Sequence, residues 1–197
     1  MIKALMPDAP LDSWRMVFDP AVASKVAKCG ISVLDSPAEM MRAVYSYLGK
    51  DPNSQSPDDL VQAEAVLTKI RPYIRNINSS EYIEALANGD LCLAVGYNGD
   101  VMQARDRARD ANKGVDIKYV VPKEGSILWF DMLAIPKDAP HPDSALAFMN
   151  YIMTPQVIAD ISNFKRYANG NLASQPLVLP AVKDDPEIYP PPEIRQK

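Results

Sequence analysis

The chain is 197 residues long, with 21 Lys plus Arg against 25 Asp plus Glu, a net charge of −4 and a single histidine. Its length and 47% hydrophobic content allow one or two packed domains and exclude a disordered chain. The acidic balance gives no pull towards nucleic acid, and His141 alone leaves almost no material for Ser-His-Asp catalysis or a histidine metal site.

No apolar run is long enough to cross a bilayer. Met1–Met6 does not read as the apolar core of a secretory leader, and Pro7 and Pro10 follow at once. Cys29 and Cys92 are compatible with one disulfide or with two buried thiols.

In chain order, Gly30–Leu34 reads as a strand. A helix follows, with Ser36 as N-cap, Pro37 at its first position, Glu39 three residues on, and Gly49 as its stop. Ser56-Pro57 opens a second helix that ends before Pro72. A third starts near Ser79-Ser80, carries Tyr82, Ile83 and Leu86 as apolar residues, and ends at Asn88-Gly89. Leu91–Val95 suits a buried strand, Gly96–Gly99 a turn, and Asp100 caps a helix running to about Asn112. Arg105, Asp106, Arg107, Arg109 and Asp110 form its solvated face. Val115–Val121 alternates like a strand, and Ile127–Ile135 is a second apolar strand. Helices follow from Ser144 to Met153 and from Thr154-Pro155. The proline-rich tail from Pro176 reads as irregular. Strands alternating with capped helices predict an α/β fold, in which ligands gather at strand carboxyl ends and helix N-termini.

Three carboxylates stand out. Asp131 lies inside an apolar strand, where alternation puts it beside Trp129. A carboxylate next to an indole suits an organic ammonium; an internal salt bridge or an early strand end would also explain it. Asp100 is either a helix cap or a ligand, and Tyr97 beside it is either core or a stacking wall. Glu39 either closes a capping box with Ser36 or adds a third acid to the same crevice. Tyr167 is a loop aromatic, and His141 an exposed bystander between two prolines. No nucleophile with a histidine partner and no glycine-rich phosphate loop is present. Acids mixed with aromatics favour binding over turnover, with a hydrolase using Glu39 and Asp131 as the alternative of another class.

Across these residues the sequence resembles the periplasmic putrescine/spermidine-binding proteins of ABC polyamine importers. The resemblance rests on Asp12-Ser-Trp14, Leu34-Asp-Ser-Pro37 with Glu39, Ile70-Arg-Pro72, Ser79-Ser80 with Tyr82-Ile83 and Leu86–Asp90. It continues through Gly96–Asp100, Pro122–Gly125, Phe130-Asp131, Ala134–Pro136, Tyr167–Asn169 and Pro186–Pro190. It implies a type II periplasmic binding fold: residues 1–122 form the main part of the second lobe, 123–165 belong to the first, and 166–197 return to the second. It implies that Asp100 and Asp131 hold ammonium groups, that Glu39 adds an acidic contact, and that Tyr97, Trp129 and Tyr167 wall the methylene chain. Position 97 is often Trp in such proteins and is Tyr here. A Cys29–Cys92 disulfide is implied too. So are a periplasmic location, permease subunits as partners, a monomer at full length, and no nucleic acid, metal, cofactor or catalysis. Agmatine is an alternative cation. Relatives extend beyond both ends of this chain, so it reads as a fragment with half a cleft, expected to bind polyamine weakly or not at all by itself.

Overall fold

The structure is a computed structural model and describes residues 1–128 and 130–190. It forms two compact units, Met1–Ile127 and Leu128–Lys197. No helix among the described residues is long and apolar enough to cross a membrane.

The first unit is α/β, as the alternation of strand and capped helix predicts. Its helices are α1 (Ile2–Leu5), α2 (Arg15–Phe18), α3 (Pro20–Val26), α4 (Pro37–Tyr47), α5 (Pro57–Ile70), α6 (Tyr82–Asn88) and α7 (Asn98–Ala111). Its strands are β1 (Ile31–Val33), β2 (Asn76–Ile77) and β3 (Leu93–Ala94). They form one parallel sheet in the order β2-β1-β3, with Ser32 opposite both Asn76 and Ala94. Phe18, Val26, Ile31, Val44, Tyr82 and Met102 are almost fully enclosed in the core. Phe18 meets the rings of Trp14 and Tyr47 at 5.5 and 5.6 Å.

Local chemistry explains most of these boundaries. Asp19 accepts the Ala21 N–H at 3.0 Å, and Pro20 pre-sets the first turn of α3. Gly89, at φ 81°, ends α6 in the left-handed conformation, and Asn112, at φ 50°, does the same for α7. Gly30, at φ 98°, holds a backbone conformation that strains any residue with a Cβ, and a Cβ there would also lie 2.6 Å from the Arg75 guanidinium and 2.7 Å from Leu91. Cys29 and Cys92 are joined in a disulfide that bridges the entries of β1 and β3, with Cα atoms 5.5 Å apart.

Several expectations are corrected. Ser36 and Ser56 occupy N-cap positions but make no side-chain cap bond. Val115–Val121 and Ile127–Ile135 are not strands among the described residues. A strand needs a neighbour to take its backbone N–H and C=O groups, and neither segment has one in the described sheet. The alternation at 115–121 still sets facing: Ile117 and Tyr119 pack on the core, while Asp116, Lys118 and Val120 face water. The charged face of α7 is solvated at Arg107, Arg109 and Asp110, but Arg105 and Asp106 are half-buried. The loop at 122–125 is pinned back onto the first unit. Glu124 accepts from the Ser13 hydroxyl and, at 3.2 Å, from the Trp14 N–H, and the Trp14 indole donates to the Gly125 carbonyl at 2.8 Å.

In the second unit the helices are α8 (Pro142–Ile152), α9 (Pro155–Lys165) and α10 (Pro180–Lys183). The proline-rich tail is less irregular than expected: a 3₁₀ turn spans Leu172–Leu177 before α10. Asn169 organises the loop after α9. Its side chain donates to Ser162 at 2.8 Å and accepts from Ser174 at 2.8 Å and from the Asn171 N–H at 2.9 Å. His141 is exposed, as expected, at the N-cap of α8.

Candidate ligand site at the carboxyl edge of the sheet

Each strand of the first unit leads into a loop and helix that delivers a polar side chain to the same edge. After β1 come Asp35 and, in the first turn of α4, Glu39. After β2 come Ser79 and Tyr82, and after β3 come Tyr97 and Asp100. Parallel strands put their carboxyl ends and the following helix N-termini on one edge, so these groups converge without being close in sequence.

Glu39 does not form a capping box, because Ser36 makes no cap bond. Its Oε2 instead accepts the Tyr97 hydroxyl at 2.8 Å. The Ser79 hydroxyl also hydrogen-bonds the Tyr97 phenol, and Ser79 accepts the Asp35 N–H at 2.9 Å. Burial, then the bond to Glu39 and its negative charge, push the Tyr97 phenol up to about 12. Tyr97 therefore stays a neutral donor throughout the ordinary pH range.

Asp100 is not the N-cap of α7; Tyr97 holds that position and Asp100 sits in the first turn. The positive end of the helix dipole favours its charge there. Asp100 Oδ2 accepts the Tyr82 hydroxyl at 2.9 Å, and Oδ1 faces the Gln103 amide at 3.4 Å. Tyr82 also accepts the Tyr97 N–H at 3.0 Å. Among the described residues, neither Glu39 nor Asp100 forms an ion pair with Lys or Arg. Two half-buried carboxylates, each accepting from a phenol, thus lie on one edge with no paired cation among the described residues. Ionised acids only accept, so the chemistry of this pair suits a cation rich in N–H donors.

The structure therefore brings Glu39, Tyr97 and Asp100 together in the first unit. Asp131 and Tyr167 lie in the second. Asp131 is exposed and forms no ion pair among the described residues. Tyr167 is half-buried on the loop that Asn169 organises, just after Arg166 turns the chain at φ 61°. Trp129 lies outside the described residues. No cluster of three or more His, Cys, Asp or Glu able to hold a metal occurs among the described residues. Sequence reasoning had no role for Tyr82, Ser79 or Gln103 at the site. Tyr82 reads as one apolar residue of a short helix, and two-residue β2, which places Ser79, is too short to show a pattern.

Over residues 1–190 the chain matches the family described as bacterial extracellular solute-binding protein. It is 47% identical over all 197 residues to the putrescine-binding periplasmic protein SpuD of Pseudomonas aeruginosa, covering 54% of that protein. It is 46% identical over 198 aligned positions to the putrescine-binding periplasmic protein PotF of Escherichia coli, again covering 54% of the relative. A solved structure described as a putative spermidine/putrescine ABC transporter from Listeria monocytogenes superposes with a TM-score of 0.82 at 29% identity, over 97% of this chain and 56% of that one. The chain thus spans about half the length of the relatives it matches. With a family match over most of its residues, the chain belongs to the bacterial extracellular solute-binding proteins.

Proposed function

We propose that the chain supplies the polyamine-receiving surface of an extracytoplasmic substrate-binding protein of an ABC importer, working outside the cytoplasmic membrane with permease subunits and without catalysing a reaction. Its ligand is a short diamine or triamine, putrescine or spermidine. Glu39 and Asp100 receive ammonium groups, and the ring of Tyr97 lines the methylene chain. The same reading assigns Asp131 as an ammonium contact and Trp129 and Tyr167 as methylene contacts. It takes residues 1–122 as the main part of one lobe, 123–165 as a segment of the other, and 166–197 as a return to the first.

The observation that carries this reading is the pair of phenol-oriented carboxylates that form no ion pair with Lys or Arg among the described residues. An ammonium group offers three donors and a full charge, which oriented acids can satisfy, and aromatic rings suit the apolar linker. Similarity to two proteins named as putrescine-binding supports it.

The test is an amide-resolved NMR titration of the chain with putrescine, with 1,4-butanediol as the uncharged analogue and agmatine as the competing cation. Putrescine is expected to shift the Tyr97 and Asp100 amides saturably, with a dissociation constant of about a millimolar or weaker, and butanediol to shift neither. Of the weak and the absent binding expected of half a cleft, the proposal commits to weak binding: equal responses to butanediol and putrescine, or none to any amine, would overturn it. Tighter agmatine than putrescine binding would move the ligand class to guanidinium amines.

A further inference from the structure

Tyr82 is the buried link between the two acids. Its side chain is wholly enclosed. Its hydroxyl donates to Asp100 Oδ2 at 2.9 Å and accepts the Tyr97 N–H at 3.0 Å. Tyr97 in turn donates its own hydroxyl to Glu39 at 2.8 Å. One hydrogen-bonded path therefore runs from the Glu39 carboxylate, along the Tyr97 side chain and backbone, through Tyr82, to the Asp100 carboxylate.

The polarity of that path is fixed. A backbone N–H only donates and an ionised carboxylate only accepts, so the single Tyr82 proton must point at Asp100. The ring has little room to move. A Cβ at Gly96 would lie 2.5 Å from Tyr82 Cε2 and 2.7 Å from Cζ, so this close backbone approach needs glycine.

Resting on the function proposed above, we infer that Tyr82 is a positioning residue for amine recognition. It touches no ligand. It holds the Asp100 carboxylate in one orientation and ties it to the start of α7 at Tyr97, so both acids stand at a set spacing before a diamine arrives. Orientation fixed in advance lowers the ordering cost of binding.

The test uses Tyr82→Phe, which keeps the ring and its packing against Gly96 and removes only the hydroxyl. Circular dichroism checks that the fold is kept. Hydrogen exchange at the Tyr97 amide is expected to accelerate about tenfold, with the amides of β1 and of the second unit unchanged. An unchanged Tyr97 rate overturns the inference. Putrescine affinity is then compared among the parent, Tyr82→Phe, Asp100→Asn and the double variant. Tyr82→Phe is expected to weaken binding about fivefold to tenfold alone and to add nothing once Asp100 is Asn. Losses that simply multiply would make Tyr82 a structural residue and overturn the inference. The exchange measurement needs no ligand. A parent chain that ignores putrescine while Tyr82→Phe still frees the Tyr97 amide would sink the functional reading and leave the positioning role standing.

Discussion

Tyr97 and Glu39 share one proton-bearing contact, and that contact fixes a pH signature. The Tyr97 phenol sits at about 12 in the folded chain against an ordinary value of 10. A raised value means the neutral phenol favours folding. That contribution is fully present below pH 10 and is lost as pH rises towards about 12. Glu39→Gln removes the negative charge and leaves only a weaker, neutral acceptor for the phenol, while burial, the largest cause, stays. Tyr97 should then ionise at lower pH than in the parent chain, yet still above an exposed tyrosine. Absorbance of the phenolate near 295 nm, with Tyr97→Phe as the control that deletes the transition, reads this directly. An unchanged transition in Glu39→Gln would mean that the hydrogen bond is not formed. At this scale the sequence was informative about acids and silent about their partners. Glu39 and Asp100 stand out because a carboxylate beside a helix start has only a few roles. Tyr82 does not, because a tyrosine among apolar residues looks like core, and it is core as well.

Elements were legible where punctuation is strong. Ser36-Pro37, Ser56-Pro57 and Thr154-Pro155 mark the starts of α4, α5 and α9, although none of those hydroxyls makes a cap bond. Proline's fixed φ at the first helical position carries the signal by itself. Strands were harder. β2 is two residues long, and the alternating run at 115–121 reports which face is buried without having a hydrogen-bonded neighbour in the sheet. The disulfide is an element-scale staple at the opposite edge from the acids. It joins residues 63 apart in sequence, just before β1 and β3 begin. Closing such a loop contributes roughly 4 kcal/mol in the chain-entropy model. Urea unfolding followed by tryptophan fluorescence should show a loss of about that size for Cys29→Ala with Cys92→Ala. An unaltered midpoint would show that the staple constrains little in the unfolded chain.

At the scale of the whole molecule the two units differ in how well they cover apolar surface. The first has a dense core under its sheet. The second leaves Phe130 77%, Met132 86% and Phe148 58% exposed, far more than scattered surface residues require. The apolar run at 127–135 was legible as hydrophobic, but not as uncovered, since pattern alone does not say whether a partner strand is present. The chain should therefore bind the apolar dye ANS while natively folded, and Met132→Glu with Phe130→Ser should reduce that fluorescence without loss of helix content. Dye binding that is absent from the parent chain would show these faces to be covered in solution. The function proposed for the first unit is that its paired carboxylates receive an organic diammonium. Putrescine titration of the parent and of Asp100→Asn, read at the Tyr97 and neighbouring α7 amides, tests it most directly. A saturable response is expected in the parent and one at least about fivefold weaker in Asp100→Asn; equal responses in the two proteins would overturn the proposed amine site.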